Sequence, residues 1–440
     1  MKRFEFAAFR PGSIEPASIG ARLYSHMHKL HESLKTVGVA HPGTQHSWQT
    51  AIGFQESGRL RWYTTSSYYK PNQWPDRLVQ LLPTKLRGNI ERQLRRRRND
   101  LLDDSLVRRN LGTEPIERFL RLRVSRLLAD RLMNRRQYAF PHKVISLMIR
   151  EPVDAIWGPV DCLEVFEWAK PRNITCILDQ PIGHFKSLNR IMLDELSKNP
   201  EFFLGNTRTL PDKQLERQYR AAEIADLVVV GSEFAAATMV ENGTDPDKIR
   251  VVPYGYNEED FLGPKPIRPP FDGRPIEFLF VGSVGARKGI AYLLKAFSTI
   301  DPTKARLTLI GPLEIPMSTF EKYSRGITYL GQVRSSEVAT KMRNSDCFIL
   351  PSLFEGSALV LYEAIAAGLA IVHTKQCGFD VKDGLNGKVL RDVNEETIKE
   401  TVYEIIHNPQ RLQEWRDTSW TTRHLHSWSH YRKAVTQLVC

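Results

Sequence analysis

Cysteine is scarce in this chain, and the few present follow no pattern. Cys162, Cys176, Cys347, Cys377 and Cys440 are spread over 440 residues without a CxxC pair. That excludes a disulfide framework and a thiolate zinc site, and it marks them as small core residues of a reducing compartment. No apolar run approaches the ~20 residues that a membrane span needs. The opening MKRFEFAAFRPGS is charged and its apolar stretch is broken, which makes a poor signal peptide. These absences predict a cytosolic protein, with peripheral attachment to the inner face of a membrane left open. There is no internal repeat of solenoid period. Asp245 and Asp247 mimic an Asp-x-Asp metal motif. Their setting, after Asn-Gly-Thr and before the apolar IRVV, predicts a turn, and no metal site is expected.

What is present begins with positive charge. Lysine and arginine number 62 against 50 acidic residues, a net +12, which favours an anionic partner. Most of the excess lies in residues 85–136, with 16 basic and 7 acidic side chains. Arg95 to Arg98 form a run there, and RFLRLRVSRLLADRLMNRR interleaves arginine with leucine. The segment reads as a long helical insertion, either with a solvated basic face or as an amphipathic surface for anionic lipid. Phe119 is its only aromatic, and this scarcity of stacking side chains makes nucleic acid an unlikely partner.

The rest alternates short apolar runs with helical stretches. Strands are predicted at VGVA (37–40), LRWYTT (60–65), DAIWGP (154–159), ITCILDQ (174–180), ADLVVVGS (225–232) and IRVVPYG (249–255), with helices at 48–55 and 217–225. Residues 257–275, rich in proline, glycine and charge, read as a linker. Alternation then resumes with EFLFVGS, a helix at 289–299, RLTLIG, ITYLG, a helix at 335–344 and CFILPS. The fold class is therefore α/β, with two doubly wound parallel-sheet domains facing across a cleft where a ligand would bind. The boundaries predicted are 1–258, 272–422 and a helical tail at 423–440.

Two segments carry the chemistry. In CFILPSLFEGSALVLYEAIAAGLAIVHT (347–374), a strand ends at Pro351–Ser352 and an apolar helix follows, stopped at Gly368. Glu355 sits at its mouth and Glu363 about two turns in, eight residues on, or ~12 Å at helical rise. A helix start there favours an anion. In VGSVGARKGI (281–290), glycines admit a close backbone approach and Arg287 with Lys288 could clamp a diphosphate. Histidines gather at N-terminal strand ends: His41 and His46 in HPGTQHS, and His184 after LDQ, near Asp179.

The 347–374 segment resembles the signature helix of the retaining glycosyltransferases of family four, which have the GT-B fold. The likeness rests on Pro-Ser before Glu355, Gly356 after it and Glu363-Ala364 after the aliphatic run. It implies a nucleotide-sugar donor of unspecified base, with no further cofactor. It places the transferred sugar at Glu355 and the ribose at Glu363, with Gly356, Ser357 and Leu359 lining the donor pocket. Lys288 matches the family's loop lysine. Ser283 stands where its arginine usually is, so Arg287 is the second cation, beside Gly282. Val333 falls at the base, His41 and Gly43 in the N-terminal loop near the phosphates, and His184 near the reacting sugar. The resemblance also implies a last helix that crosses back to the N-terminal domain, and a glycan or lipid-linked acceptor. A sugar-nucleotide epimerase of the same fold, and a noncatalytic lipid- or nucleic-acid-binding protein built on 85–136, are the alternatives.

Overall fold

The computed structural model of the protein describes residues 35–43, 46–74, 76–109, 126–205, 209–268, 271, 273–379 and 383–439. Two all-parallel sheets carry it. The first has seven strands in the order β3-β2-β1-β4-β5-β6-β7. They are β1 (Val37–His41), β2 (Leu60–Thr65), β3 (Val107–Arg109), β4 (Ala155–Gly158), β5 (Thr175–Gln180), β6 (Leu227–Val230) and β7 (Ile249–Val251). The second has six, in the order β10-β9-β8-β11-β12-β13. They are β8 (Ile276–Val281), β9 (Ala305–Ile310), β10 (Ile327–Tyr329), β11 (Cys347–Leu350), β12 (Ala370–Thr374) and β13 (Gly387–Leu390).

Helices cover both faces of each sheet, so the central strands are buried on both sides and read as unbroken apolar runs. Every residue of β1, β11 and β12 is buried. Phe348 and Ile349 of β11 are fully enclosed, each stabilising the fold by roughly 1.5–3 kcal/mol. Strand order reverses at β1/β4 and at β8/β11. In such sheets the crevice for ligands opens at these points, beyond the carboxyl ends of the strands.

The basic segment is not the single helical insertion that its arginine-leucine pattern suggests. It holds helix Thr84–Arg95, the edge strand β3 and the start of helix Arg126–Arg150. β3 pairs in parallel with β2 and so belongs to the first sheet. Arg98 turns inward and binds Asp104 through both carboxylate oxygens at 2.8 and 2.7 Å. Phe119, Arg118, Arg121 and Arg123 lie outside the described residues.

Two chain crossings join the sheets. Outbound, Tyr256 bridges to Ser427 of the returning chain. Inbound, helix Trp428–Gln437 packs on helix Ser47–Glu56, where the Tyr431 and Thr50 hydroxyls lie 2.7 Å apart. The linker is pinned rather than loose. The Arg268 guanidinium donates to the carbonyls of Met342, Arg343, Ala367 and Gly368, capping the ends of helices Ser335–Asn344 and Leu359–Ala366. Helix Phe185–Lys198 and the turn after it reach across to the second sheet's helices. Tyr292 donates to Glu195 at 2.7 Å, Lys295 to Asn199 at 2.6 Å, and Phe202 stacks on Tyr323.

Candidate active site

Two loops meet at the β8/β11 switch. The β8 loop runs through Gly282 into a short turn, Ala286–Lys288, and then Gly289 at φ 69°. A Cβ on Gly289 would lie 2.0 Å from the Pro351 carbonyl, so only glycine lets the β8 loop pass under the end of β11. This passage brings Arg287 and Lys288 to Glu355. One carboxylate oxygen, Oε1, receives Arg287 Nη1 at 2.7 Å, Lys288 Nζ at 2.6 Å and the Ser352 hydroxyl at 3.1 Å. Oε2 makes no hydrogen bond among the described residues. Burial alone would raise the Glu355 carboxyl. The charges of Lys288 and then Arg287 outweigh it and hold the group below the usual range. Glu355 and Lys288 are both buried.

The helix after β11 begins at Leu359, three residues later than the sequence suggests, and Ala358 is its N-cap. Glu355, Gly356 and Ser357 therefore lie in a loop that bends at Gly356. Glu363 is about one turn into the helix, not two, so helical rise does not set the separation of the two glutamates. No side chain caps the helix start, where Leu359 is exposed. Glu363 is half-buried and has no hydrogen-bond or ion-pair partner among the described residues. Burial raises its carboxyl to about 7, and the nearby charge of Asp260 adds to the rise. An acceptor without a donor at this position suits a ligand hydroxyl.

The 354–357 loop also touches the first sheet's loops. A Cβ on Gly356 would fall 1.8 Å from the Pro181 carbonyl. Ser232, which caps helix Glu233–Glu241, donates its hydroxyl to the Gly356 carbonyl. The Ser357 hydroxyl is taken by Tyr362 at 2.8 Å. Gly356 and Ser357 thus also serve the contact between the domains. Val333 is half-buried and packs on the core.

At the other switch point, His46 Nε2 lies 3.0 Å from both oxygens of Asp179. Its ring packs at 4.4 Å on Tyr254, tilted by 31°, and meets Tyr431 edge-on. Burial alone would raise Asp179; the charge and hydrogen bond of His46 hold it below the usual range. His41 Nδ1 accepts the Gly43 amide at 2.9 Å, and burial lowers its pKa. His184 stands apart. It caps helix Phe185–Lys198 by accepting the Lys186 amide, its ring packs against Tyr219, and burial lowers its pKa to about 4. It has no hydrogen bond, ion pair or ring contact with the Glu355 cluster among the described residues. Asp245 Oδ1 accepts the Asp247 amide at 2.9 Å, which makes that acidic pair a turn.

Sequence reasoning did not find the His46–Asp179 pairing, the Ser232 latch or Asp260 beside Glu363. Each joins residues far apart in the chain, and only the Gly-Ser before helix Glu233–Glu241 left a local trace, as a capping serine.

Residues 275–408 match the model of the family described as Glycosyl transferases group 1. That stretch is similar to the family. The match spans β8 to β13, the sheet that carries Lys288, Glu355 and Glu363. Among curated relatives, the MMP alpha-(1->4)-mannosyltransferase of Mycolicibacterium hassiacum is 25% identical over 247 residues, 51% of this chain and 58% of that protein. The chain spans about half the length of the curated relatives it matches. Among solved structures, a sucrose-phosphate synthase from Thermosynechococcus elongatus superposes with a TM-score of 0.62 at 16% identity, over 92% of this chain and 98% of the other. Anabaena HepE, solved with UDP and glucose, gives 0.56 at 13% identity over 92% and 99%. The fold is GT-B. Among the described residues no helix is long and apolar enough to cross a membrane.

Proposed function

We propose that the protein transfers a sugar from a nucleoside-diphosphate donor to a glycan or lipid-linked acceptor, with retention at the anomeric carbon. The observation that carries this reading is the meeting of Lys288 and Arg287 on the buried Glu355, with Glu363 unpartnered among the described residues on the helix that follows. Lys288 has three N–H donors and gives one to Glu355, leaving the others for phosphate oxygens. With Arg287 it offsets the charge that grows on the departing diphosphate, and such fixed electrostatic help is a large part of most rate enhancements. Glu355 Oε2 is free to accept a sugar hydroxyl, and Glu363 a ribose hydroxyl. No second carboxylate stands opposite Glu355 as a nucleophile among the described residues. The acceptor hydroxyl then attacks on the leaving-group face. Its oxygen bonds to the anomeric carbon as the bond to the phosphate oxygen breaks, and its proton passes to the leaving diphosphate. The two side-chain cations supply the charge a metal would, so transfer should survive EDTA.

Thermal denaturation against a panel of nucleoside-diphosphate sugars, beginning with UDP-sugars because HepE holds UDP, tests the reading. One donor should raise the melting temperature of the wild type and not of Glu363→Ala or Lys288→Ala. If no donor shifts the folded wild type, and no product forms with mixed acceptors, the proposal is wrong.

A further inference from the structure

We infer a second anion site, at the far edge of the first sheet, for a phosphate-bearing small molecule other than the donor. A groove of about 480 Å³ lies between β3, the loop before it and the second half of helix Arg126–Arg150. Its size falls within the range of small-ligand sites. β3 is the edge opposite β7, whereas the loops that meet the second sheet's domain follow β5 and β6. The groove is therefore distinct from the donor cleft.

Its charge is unbalanced by construction. Two carboxylates line it, and each is already held. Asp104 is bound by Arg98, and Glu151 by Arg108 at 2.8 and 2.7 Å. Arg109 is paired with Asp76. Three further cations on the lining form no ion pair with a carboxylate among the described residues. Lys70 is buried and donates to the carbonyls of Asp104 and Val107 at 2.6 and 2.8 Å, which leaves one N–H. Lys143 has no partner among the described residues, and Arg150 donates only to Ser146 of its own helix. Burial lowers the Lys70 pKa; the charge of Asp104 opposes this, and those of Arg109 and Arg108 add to the lowering. A phosphate group there would relieve this repulsion and accept the spare donors. Surface arginines on a solvated face need no such enclosure. Here a buried lysine forms one wall and two exposed cations the rim.

Calorimetric titration of the full chain with sodium pyrophosphate tests the site, using Lys288→Ala to silence the donor cleft. Lys143 and Arg150 are exposed, so Lys143→Glu/Arg150→Glu should leave the fold intact, as a melting curve checks. Saturable binding should persist in Lys288→Ala and weaken at least tenfold when the two charge reversals are added. The reversals alone should leave nucleotide-sugar binding unchanged, so failure here is separable from failure of the transferase reading. Vesicles of phosphatidylglycerol and phosphatidylcholine distinguish the source of the phosphate. Displacement of bound protein by pyrophosphate means a lipid headgroup enters the groove, and no vesicle binding means a soluble ligand. Pyrophosphate binding that is absent, or unchanged by the reversals, overturns the inference. So does vesicle binding that pyrophosphate cannot compete, which would mean diffuse surface attraction.

Discussion

At the C-terminal switch point one oxygen of Glu355 gathers two permanent cations, whereas at the N-terminal switch point Asp179 gathers a histidine. Both carboxylates are buried, and both are held below their usual range by their partners. The difference lies in what is left over. The Glu355 cluster keeps a net positive charge and spare N–H donors, as a diphosphate requires. The Asp179 pair is buried against Tyr254 and Tyr431, and no lysine or arginine pairs with it among the described residues. The same topology thus leaves cationic donors at one switch point and a closed, aromatic-lined pair at the other.

The comparison breaks most sharply at Lys288. Lys288→Ala should lower transfer by about 10²–10³-fold, the usual cost of removing one preorganised donor from developing charge. It should also destabilise the fold by about 1–3 kcal/mol, because Glu355 stays buried with Arg287 alone. Kinetics and urea unfolding read the two effects separately. Glu355 has a depressed pKa, so its stabilising contribution is present above the unfolded value and lost as pH falls through the folded one. The Lys288→Ala curve of stability against pH should therefore be flatter on the acid side. Equal acid sensitivity in both proteins would mean that the pair contributes nothing.

Glu363 comes next, with an effect on binding rather than turnover. Glu363→Ala should weaken the donor by about tenfold, or ~1.4 kcal/mol. Burial raises its carboxyl to about 7, and under the proposed function the ionised form would accept the ribose hydroxyls. Wild-type donor affinity should therefore fall as pH drops through 7, with a proton released on binding above neutrality suppressed. Glu363→Gln should show no such dependence. A slope that survives in Glu363→Gln would assign the titration to another group.

The N-terminal site should respond differently. Asp179→Asn should leave nucleotide binding within twofold while destabilising the fold by about 1–3 kcal/mol, since a buried charged hydrogen bond becomes a neutral one. Loss of donor affinity in Asp179→Asn would erase the distinction between the two sites.

The contrast also explains what the sequence could reveal. Strands buried on both faces, such as CFIL and LVVV, are legible as unbroken apolar runs, and both halves of the GT-B fold could be read from them. β3 was not legible, because an edge strand of sequence VRR shows neither alternation nor a run. The residues that meet at Glu355 could be singled out because their segments are local: a loop Gly-Ala-Arg-Lys-Gly and a Pro-Ser-x-x-Glu. The helix start was misplaced because Ser357 and Ala358 are locally compatible with helix, whereas the contacts of Gly356 with Pro181 and of Ala358 with Cys377 hold that stretch out of the helix. His184 read as a site residue from its place after a strand, yet that place is also where a helix needs a cap.

The smallest expected effect tests whether the returning helix matters to the N-terminal site. Tyr431 touches His46 with its ring and meets the Thr50 hydroxyl with its own. Tyr431→Phe keeps the ring and removes the hydrogen bond, so it should cost about 0.5–1.5 kcal/mol. Thr50→Val should cost a similar amount. If the two hydroxyls serve each other, the double variant should be little worse than either single one, giving a coupling close to the full bond energy. Tyr431→Ala would also strip the wall from His46 and should exceed both, by about 3–5 kcal/mol in all, as for a large buried ring. Additive losses in the cycle would mean that the hydroxyls are satisfied separately. The helix would then hold the first domain by its ring packing alone, and the His46 site could be altered without loosening the domain crossing.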